Sequence, residues 1–354
     1  MTASPLPVVD GRFMLETTAE LCRIPSPTGY TAEAVAFVQN QLSSLGLETR
    51  RTVKGALVAM LPGSNDPKAG GRLLSAHVDT LGAMVKEIKK NGRLKLTSIG
   101  SYDWSTIEGE YCTVHTAAGD AVTGTILTTK ASFHIHGKAL ADLKRDEHSI
   151  EIRLDERVRT AAEVRALGVE VGDFVSLDPR TTITPNGYIK SRHLDDKACV
   201  AILLGIAKAV SECGFTPTTP SYLYVSTFEE VGHGTSAGLP SGVEEVIAVD
   251  MAAVGEGQTS DEFATTVCVK DATGPYDHGL SRRLVDLART HGIDCRTDIY
   301  TYYGSDVSQA LRAGYDIRGA LVGPGVDASH SYERLHQTSL EETARLLLAY
   351  LLAA

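Results

Sequence analysis

The chain has 354 residues, a formal net charge of −10, a hydrophobic fraction of 43% and a charged fraction of 22%. That length suggests two domains, or one large domain with an insertion, with ample apolar content for a core. The acidic balance argues against a nucleic-acid partner, and no apolar run reaches membrane-spanning length.

The N-terminal stretch MTASPLPVVDGRFMLE lacks a basic segment leading into a long apolar core, so no signal peptide is expected and a cytoplasmic location is. Cys22, Cys112, Cys199, Cys213, Cys268 and Cys295 are scattered singly. That pattern favours free thiols in a reducing compartment over disulfides or a thiolate zinc site. Residues 12–46 read as helical, with PSPTG at 25–29 as an interrupting turn and Gly46 as the stop. Short β-like runs, GALVAMLPG and RLLSAHVDTLG, follow. From about Val85 to Pro179 the texture changes to short alternating segments such as RLKLTSIG, EYCTVHT, GTILTT and SIEIRLD, with TAAEVRALG as a single helix. This is the pattern of a small antiparallel β domain.

After NGYIKSRHLDDKA the texture returns to α/β. The helix KACVAILLGIAKAVSECG precedes strands SYLYVSTF and EEVIAVDM, helix SRRLVDLARTHG and strand CRTDIYT. Helix SDVSQALRAG, strand GALVG and a terminal helix from about Leu340 complete the chain. Strands alternating with helices imply a mainly parallel, layered α/β sheet. The expected architecture is therefore a three-layer α/β domain made of residues 1–84 and 180–354, interrupted by a β-rich, barrel-like domain at 85–179.

Ligand sites in open α/β sheets collect at the carboxyl ends of strands, and several apolar runs here end in candidate ligands. LLSAHVDT delivers His77 and Asp79, RHLDDKA delivers Asp195 and Asp196, YVSTFEE delivers Glu229 and Glu230, and EVIAVDM delivers Asp250. His330, in DASHSYE, follows GALVG through a glycine-proline-glycine loop. Singly, each has an ordinary explanation: an N-cap with a first-turn acid for LDDK, a solvated strand end for EE, a turn former for Asp250. Gathered at one sheet edge, so many acids and two imidazoles would require a counter-charge. One or two divalent cations would supply it, and carboxylate and imidazole donors suit zinc, cobalt or manganese.

SAHVDTLG, RHLDDKA, STFEEVG, IAVDM and SHSYE occur in the order found in the M42 family of metallo-aminopeptidases, which the chain resembles over nearly its whole length. IPSPTGYTAEAV is similar to the family's opening, and GDFVSLDP…NGYIKSRHLDDKA to the return from its inserted domain. The resemblance implies that Asp195 bridges two divalent metal ions. His77 and Asp250 would complete one site, and Glu230 and His330 the other. Glu229 would act as general base towards a water shared by the ions, and Asp79 would orient His77. It also implies a cis peptide before Asp196, a short-peptide substrate and a homo-oligomer, dimer-based and up to a dodecamer. The family's GGTDA stretch corresponds to YYGSDVSQA, which keeps Gly304 and Asp306 as candidate substrate residues.

After FEEVG the chain reads HGTSAGLPSG where the family has an LRGA-like stretch, and the motif histidine is followed by SYE rather than proline. These features resemble a subgroup of M42-like hydrolases associated with a dipeptide-type osmolyte. The expected activity is removal of N-terminal residues from short peptides. The alternatives are a dimetal deacylase or amidohydrolase of a small peptide-like metabolite, and a catalytically silent metal-binding assembly protein. His134 and His136, at alternate positions in SFHIHGK, are expected on a solvated strand face. His193 is expected beside the metal ligands or at the surface, and TGPYDHG reads as a polar loop.

Overall fold

The computed structural model describes residues 5–63, 70–214 and 216–353. Its central strands carry apolar side chains on both faces. Leu74, Ala76, Leu223, Val225, Ile247 and Val249 enter one core, whereas Leu73, Tyr224, Val246 and Ala248 enter another. Successive strand residues point to opposite faces, so such a sheet needs cover on both sides. Helices Gly11–Arg23, Leu194–Cys213, His278–His291 and Gln337–Leu352 cover the first face. The short helix Asp306–Arg312 covers the second, with Val307 in its core. The helix Leu194–Cys213 is buried along most of its length, which explains a sequence that is apolar all round.

The strands Ser221–Ser226, Gly71–His77, Val243–Val249 and Arg318–Asp327 lie side by side and parallel within a 13-stranded sheet. They therefore end at a common edge. This is the α/β architecture with flanking helices that the sequence pattern implies. The second unit is a closed barrel whose strands run Gly82–Ile88, Leu94–Ile99, Ile150–Leu154, Ala121–Thr128, Tyr111–His115 and Phe174–Leu177 around the ring. Val85, Leu96, Val114, Ile126, Ile152 and Val175 fill its interior. Closure leaves these strands no free edge. Helix Ala161–Ala166, begun by a capping box between Thr160 and Glu163, adds Val164 to the same core.

Several elements differ from the sequence expectation. His134 and His136 lie in a helical turn, Phe133–His136, stopped by Gly137 at φ 50. No described strand pairs with that segment, so alternation there does not produce a sheet face. The strand Thr265–Asp271 also enters the main sheet, antiparallel to Arg318–Asp327 and parallel to Cys295–Ile299. Its threonines and cysteine are buried and give little hydrophobic signal. The terminal helix begins at Gln337, because the His336 ring accepts the Thr338 backbone N–H.

Candidate metal centre

The common edge of the parallel strands collects the candidate ligands. His77 is the last residue of its strand. The next residue, Val78, donates its N–H to the Ser226 carbonyl at 3.0 Å, which aligns two strand ends. Asp250 N–H donates to the Val322 carbonyl at 3.1 Å, aligning two more. A Cβ at Gly323 would collide with the Asp250 carbonyl oxygen, so this close approach requires glycine. Asp195 and Asp196 open the buried helix through a cis peptide bond.

Asp195 sits between two imidazoles: Oδ1 is 3.1 Å from His77 Nε2, and Oδ2 is 3.3 Å from His330 Nε2. Glu230 Oε2 lies 3.9 Å from His330 Nε2, and Glu229 Oε2 lies 3.8 Å from His77 Nε2. One donor atom from each of His77, Asp196 and Asp250 lies within 4.8 Å of the others, as does one from each of His77, Asp195 and Glu230. The outer ring nitrogens face carbonyl oxygens. His77 Nδ1 is 2.9 Å from the Asp79 carbonyl, and His330 Nδ1 is 2.6 Å from the Ser101 carbonyl. A carbonyl only accepts, so each Nδ1 carries the hydrogen and each Nε2 turns towards the carboxylates.

The cluster is short of positive charge. Burial, then repulsion from Asp195, pushes Glu230 up to about 8 and Asp250 up to about 7. Burial also raises Glu229 and Asp196 well above the carboxylate range, with Asp250 adding to both. Burial opposes ionisation of Asp195, but hydrogen bonds from His330 and His77 outweigh it and hold that group low. His330 moves up to about 10 because Asp195 overcomes the effect of burial. Protons on the imidazoles would neutralise part of this charge. They would not satisfy Asp196 Oδ1 and Glu230 Oε1, which are buried without a hydrogen-bond partner. Two orphaned carboxylate oxygens beside inward-facing imidazoles fit oxygen- and nitrogen-seeking divalent cations.

The remaining sequence candidates surround this cluster. Asp79 is fully buried and accepts from Thr28 Oγ1 at 2.7 Å and from the backbone N–H groups of Glu229 and Glu230 at 3.2 and 3.3 Å. It therefore fixes the paired glutamates as well as facing His77. Gly304 lines a cavity of about 450 Å³ over the cluster, together with Ser101, Met251, Tyr303, Ser308 and Arg312. Asp306 lies beneath it and is buried. Its Oδ2 accepts from the Ser75 and Ser226 hydroxyls, both at 2.7 Å, and its Oδ1 accepts from Thr235 N–H at 3.1 Å. His193 is buried, beside a separate cavity between barrel and sheet. His134 and His136 lie outside the cluster's contacts.

Sequence reasoning gave no role to Glu333 or Gln309, and counted Asp196 among the candidate ligands without assigning it to either metal site. Glu333 accepts the backbone N–H groups of Asp195 and His330, and its place three residues after His330 is a signal that could have marked it. Gln309 touches Glu229. Asp196 follows directly on the acid between the imidazoles, and its Oδ2 accepts the His77 backbone N–H at 3.0 Å.

Known proteins resemble this chain in sequence and in fold. The family model described as M42 glutamyl aminopeptidase matches residues 55–346. YhfE of Bacillus subtilis (strain 168) is 48% identical over 339 residues, covering 96% of this chain and 97% of YhfE. Lysyl aminopeptidase of Pyrococcus furiosus is 24% identical over 218 residues, covering 61% of this chain and 60% of that protein. Among solved structures, aminopeptidase APDkam598 from Desulfurococcus kamchatkensis has a TM-score of 0.86 at 18% identity, covering 97% of this chain and 96% of that one. The Pyrococcus horikoshii TET1 peptidase has a TM-score of 0.84 at 20% identity, covering 96% and 100%. The structural likenesses establish the fold. With a family match over most of its length and a relative 48% identical almost end to end, the chain belongs to the M42 family of peptidases.

Proposed function

We propose that the chain is a dinuclear metal-dependent aminopeptidase that removes N-terminal residues from short peptides. The observation that carries this reading is the placement of Asp195 between His77 and His330, with carboxylate oxygens of Asp196 and Glu230 left unpartnered beside it. His77, Asp195 and Asp250 would hold one divalent ion, with Asp196 alongside, and Asp195, Glu230 and His330 would hold the other. Zinc suits this donor set best, and cobalt or manganese would also fit it. When bound, the ions would polarise the scissile carbonyl and lower the pKa of the attacking water.

The protein's own groups do the rest. Glu229 presents Oε2 to the cluster and serves as general base, taking the water proton and passing it to the departing amine. Asp79 holds Glu229 and Glu230 through their backbone N–H groups. The cavity is lined with carboxylates near the cluster, so it favours the positively charged amino terminus of a peptide. Its 450 Å³ admits only a few residues at a time. The Pyrococcus horikoshii TET1 peptidase can assemble into a tetrahedron or a large octahedral shell, and we extend homo-oligomerisation to this chain. No helix among the described residues is long and apolar enough to cross a membrane, and we place the enzyme in the cytoplasm.

A chelator is expected to abolish hydrolysis of aminoacyl-anilides, and added zinc, cobalt or manganese to restore it. Glu229→Gln is expected to keep its metal content while turnover falls by about 10²–10⁴-fold. Cleavage confined to N-acylated substrates would instead establish an amidohydrolase, and full activity without metal would overturn the proposal.

A further inference from the structure

Glu229 reaches the cluster from a turn, residues 228–236, that lies beyond the end of the strand Ser221–Ser226. Besides Asp79, which accepts the Glu229 and Glu230 N–H groups, side chains from two further segments hold this turn. Lys54 Nζ donates to the carbonyls of His233 and Gly234 and to Ser236 Oγ, the last two at 3.0 and 3.1 Å. Gln309 belongs to the helix Asp306–Arg312. Its Nε2 donates to Glu229 Oε1 at 2.9 Å and to the Glu229 carbonyl at 3.2 Å, while its Oε1 accepts the Gly234 N–H. The orientation of the carboxamide follows from these partners. Gly234 N–H only donates and the Glu229 carbonyl only accepts, so the amide cannot be turned over without losing both bonds.

From this geometry we propose that Gln309 is a positioning residue for proton transfer, acting through Glu229 and resting on the assignment of Glu229 as general base. A glutamate next to a metal ligand and within reach of the same cations has a competing option, which is to bind them. Gln309 offers Glu229 Oε1 a neutral donor. Oε1 is thereby held off the cluster, and Oε2 is left facing it, 3.8 Å from His77 Nε2. During turnover Glu229 takes the proton on Oε2 and gives it to the leaving amine, and Gln309 keeps both of its own amide protons. The supporting helix is fixed in turn by Asp306, anchored to Ser75 and Ser226. Glutamine supplies what this position demands: an acceptor for Gly234 and a donor for Glu229 on one side chain.

The test uses Gln309→Ala and Gln309→Glu, each alone and combined with Glu229→Gln, with metal content, melting temperature, kcat and KM measured on the full chain. Gln309→Glu still accepts from Gly234 N–H but, as a carboxylate, offers no donor to Glu229. It therefore separates holding the turn from positioning the base. Both single variants are expected to retain metal content and KM while kcat falls about 10–100-fold, the effect of misplacing a reacting group by about 1 Å. In the Glu229→Gln background the same changes are expected to have no further effect, because the group they position has lost its function. Unchanged kcat in both single variants, alongside an impaired Glu229→Gln, would overturn the role of Gln309 and leave the base assignment standing. So would a loss of metal, or an equal additional loss in the Glu229→Gln background, since either marks Gln309 as support for the turn alone. Full turnover by Glu229→Gln would instead overturn the base assignment itself.

Discussion

Glu333 does not itself line the cavity over the cluster, is 2% exposed, and still bears on the chemistry. Its Oε2 accepts the Asp195 N–H at 3.2 Å and its Oε1 the His330 N–H at 3.0 Å. It therefore couples the start of the buried helix to a histidine held in the left-handed region at φ 61, where non-glycine residues are uncommon. Glu333→Ala is expected to weaken zinc binding by about 10–100-fold, measured by competition with a chromophoric chelator; unchanged affinity would remove this role. The candidates at the strand ends were legible because an acid or imidazole closing an apolar run is costly unless something compensates it. Gln309 and Thr28 sit among ordinary polar neighbours, and only the folded chain shows what they touch. Ser101 acts through its backbone carbonyl, a group every residue has, so no sequence pattern could mark it.

At the scale of elements, the parallel strands and the buried helix were legible from long apolar runs and their glycine stops, and the barrel from its alternating segments. What joins barrel to sheet was not, because it consists of isolated charged residues distant in sequence. Arg192, buried just after the strand Tyr188–Ser191, donates to the carbonyls of Ser331 and Thr106 and to Glu110 Oε1, the first and last at 3.2 Å. Arg180 donates to the same Glu110 oxygen at 2.6 Å. Arg192 thus ties the barrel to the loop that carries His330. Arg192→Met leaves buried acceptors without a donor and is expected to lower stability by about 3 kcal/mol, read from the denaturant midpoint at constant m-value. A midpoint equal to wild type would show that Arg180 alone suffices.

Across the whole molecule, one acidic group links the layers far from the chemistry. Glu245, near the start of its strand, accepts from Arg283 and from Tyr350 Oη at 2.8 Å, with Arg318 at 3.2 Å and Arg72 at 3.7 Å. Burial works against its ionisation, but Arg283, Tyr350 and Arg72 prevail and hold its pKa below the usual glutamate range. A depressed carboxyl pKa means that the unfolded chain takes up the proton first as pH falls. The contribution is therefore present above the unfolded pKa of about 4.3 and is lost on acidification through the folded value. The melting-temperature gap between wild type and Glu245→Gln is expected to be widest near pH 7 and to narrow towards pH 3; a constant gap would contradict this origin. At the same scale, light scattering is expected to give a mass that is a multiple of the 37.8 kDa chain.

The hydrogen bond between His330 Nδ1 and the Ser101 carbonyl has a practical consequence for anyone dissecting the protein. Ser101 lies on the excursion between barrel strands, so the ring that faces Asp195 is oriented by the barrel segment. Replacing residues 85–179 with a short linker would leave every acid and imidazole donor in place, yet that ring would be free to turn over. Such a minimal version is expected to keep the proposed His77 site and to weaken the proposed His330 site, which would make the excised segment part of the metal centre we propose.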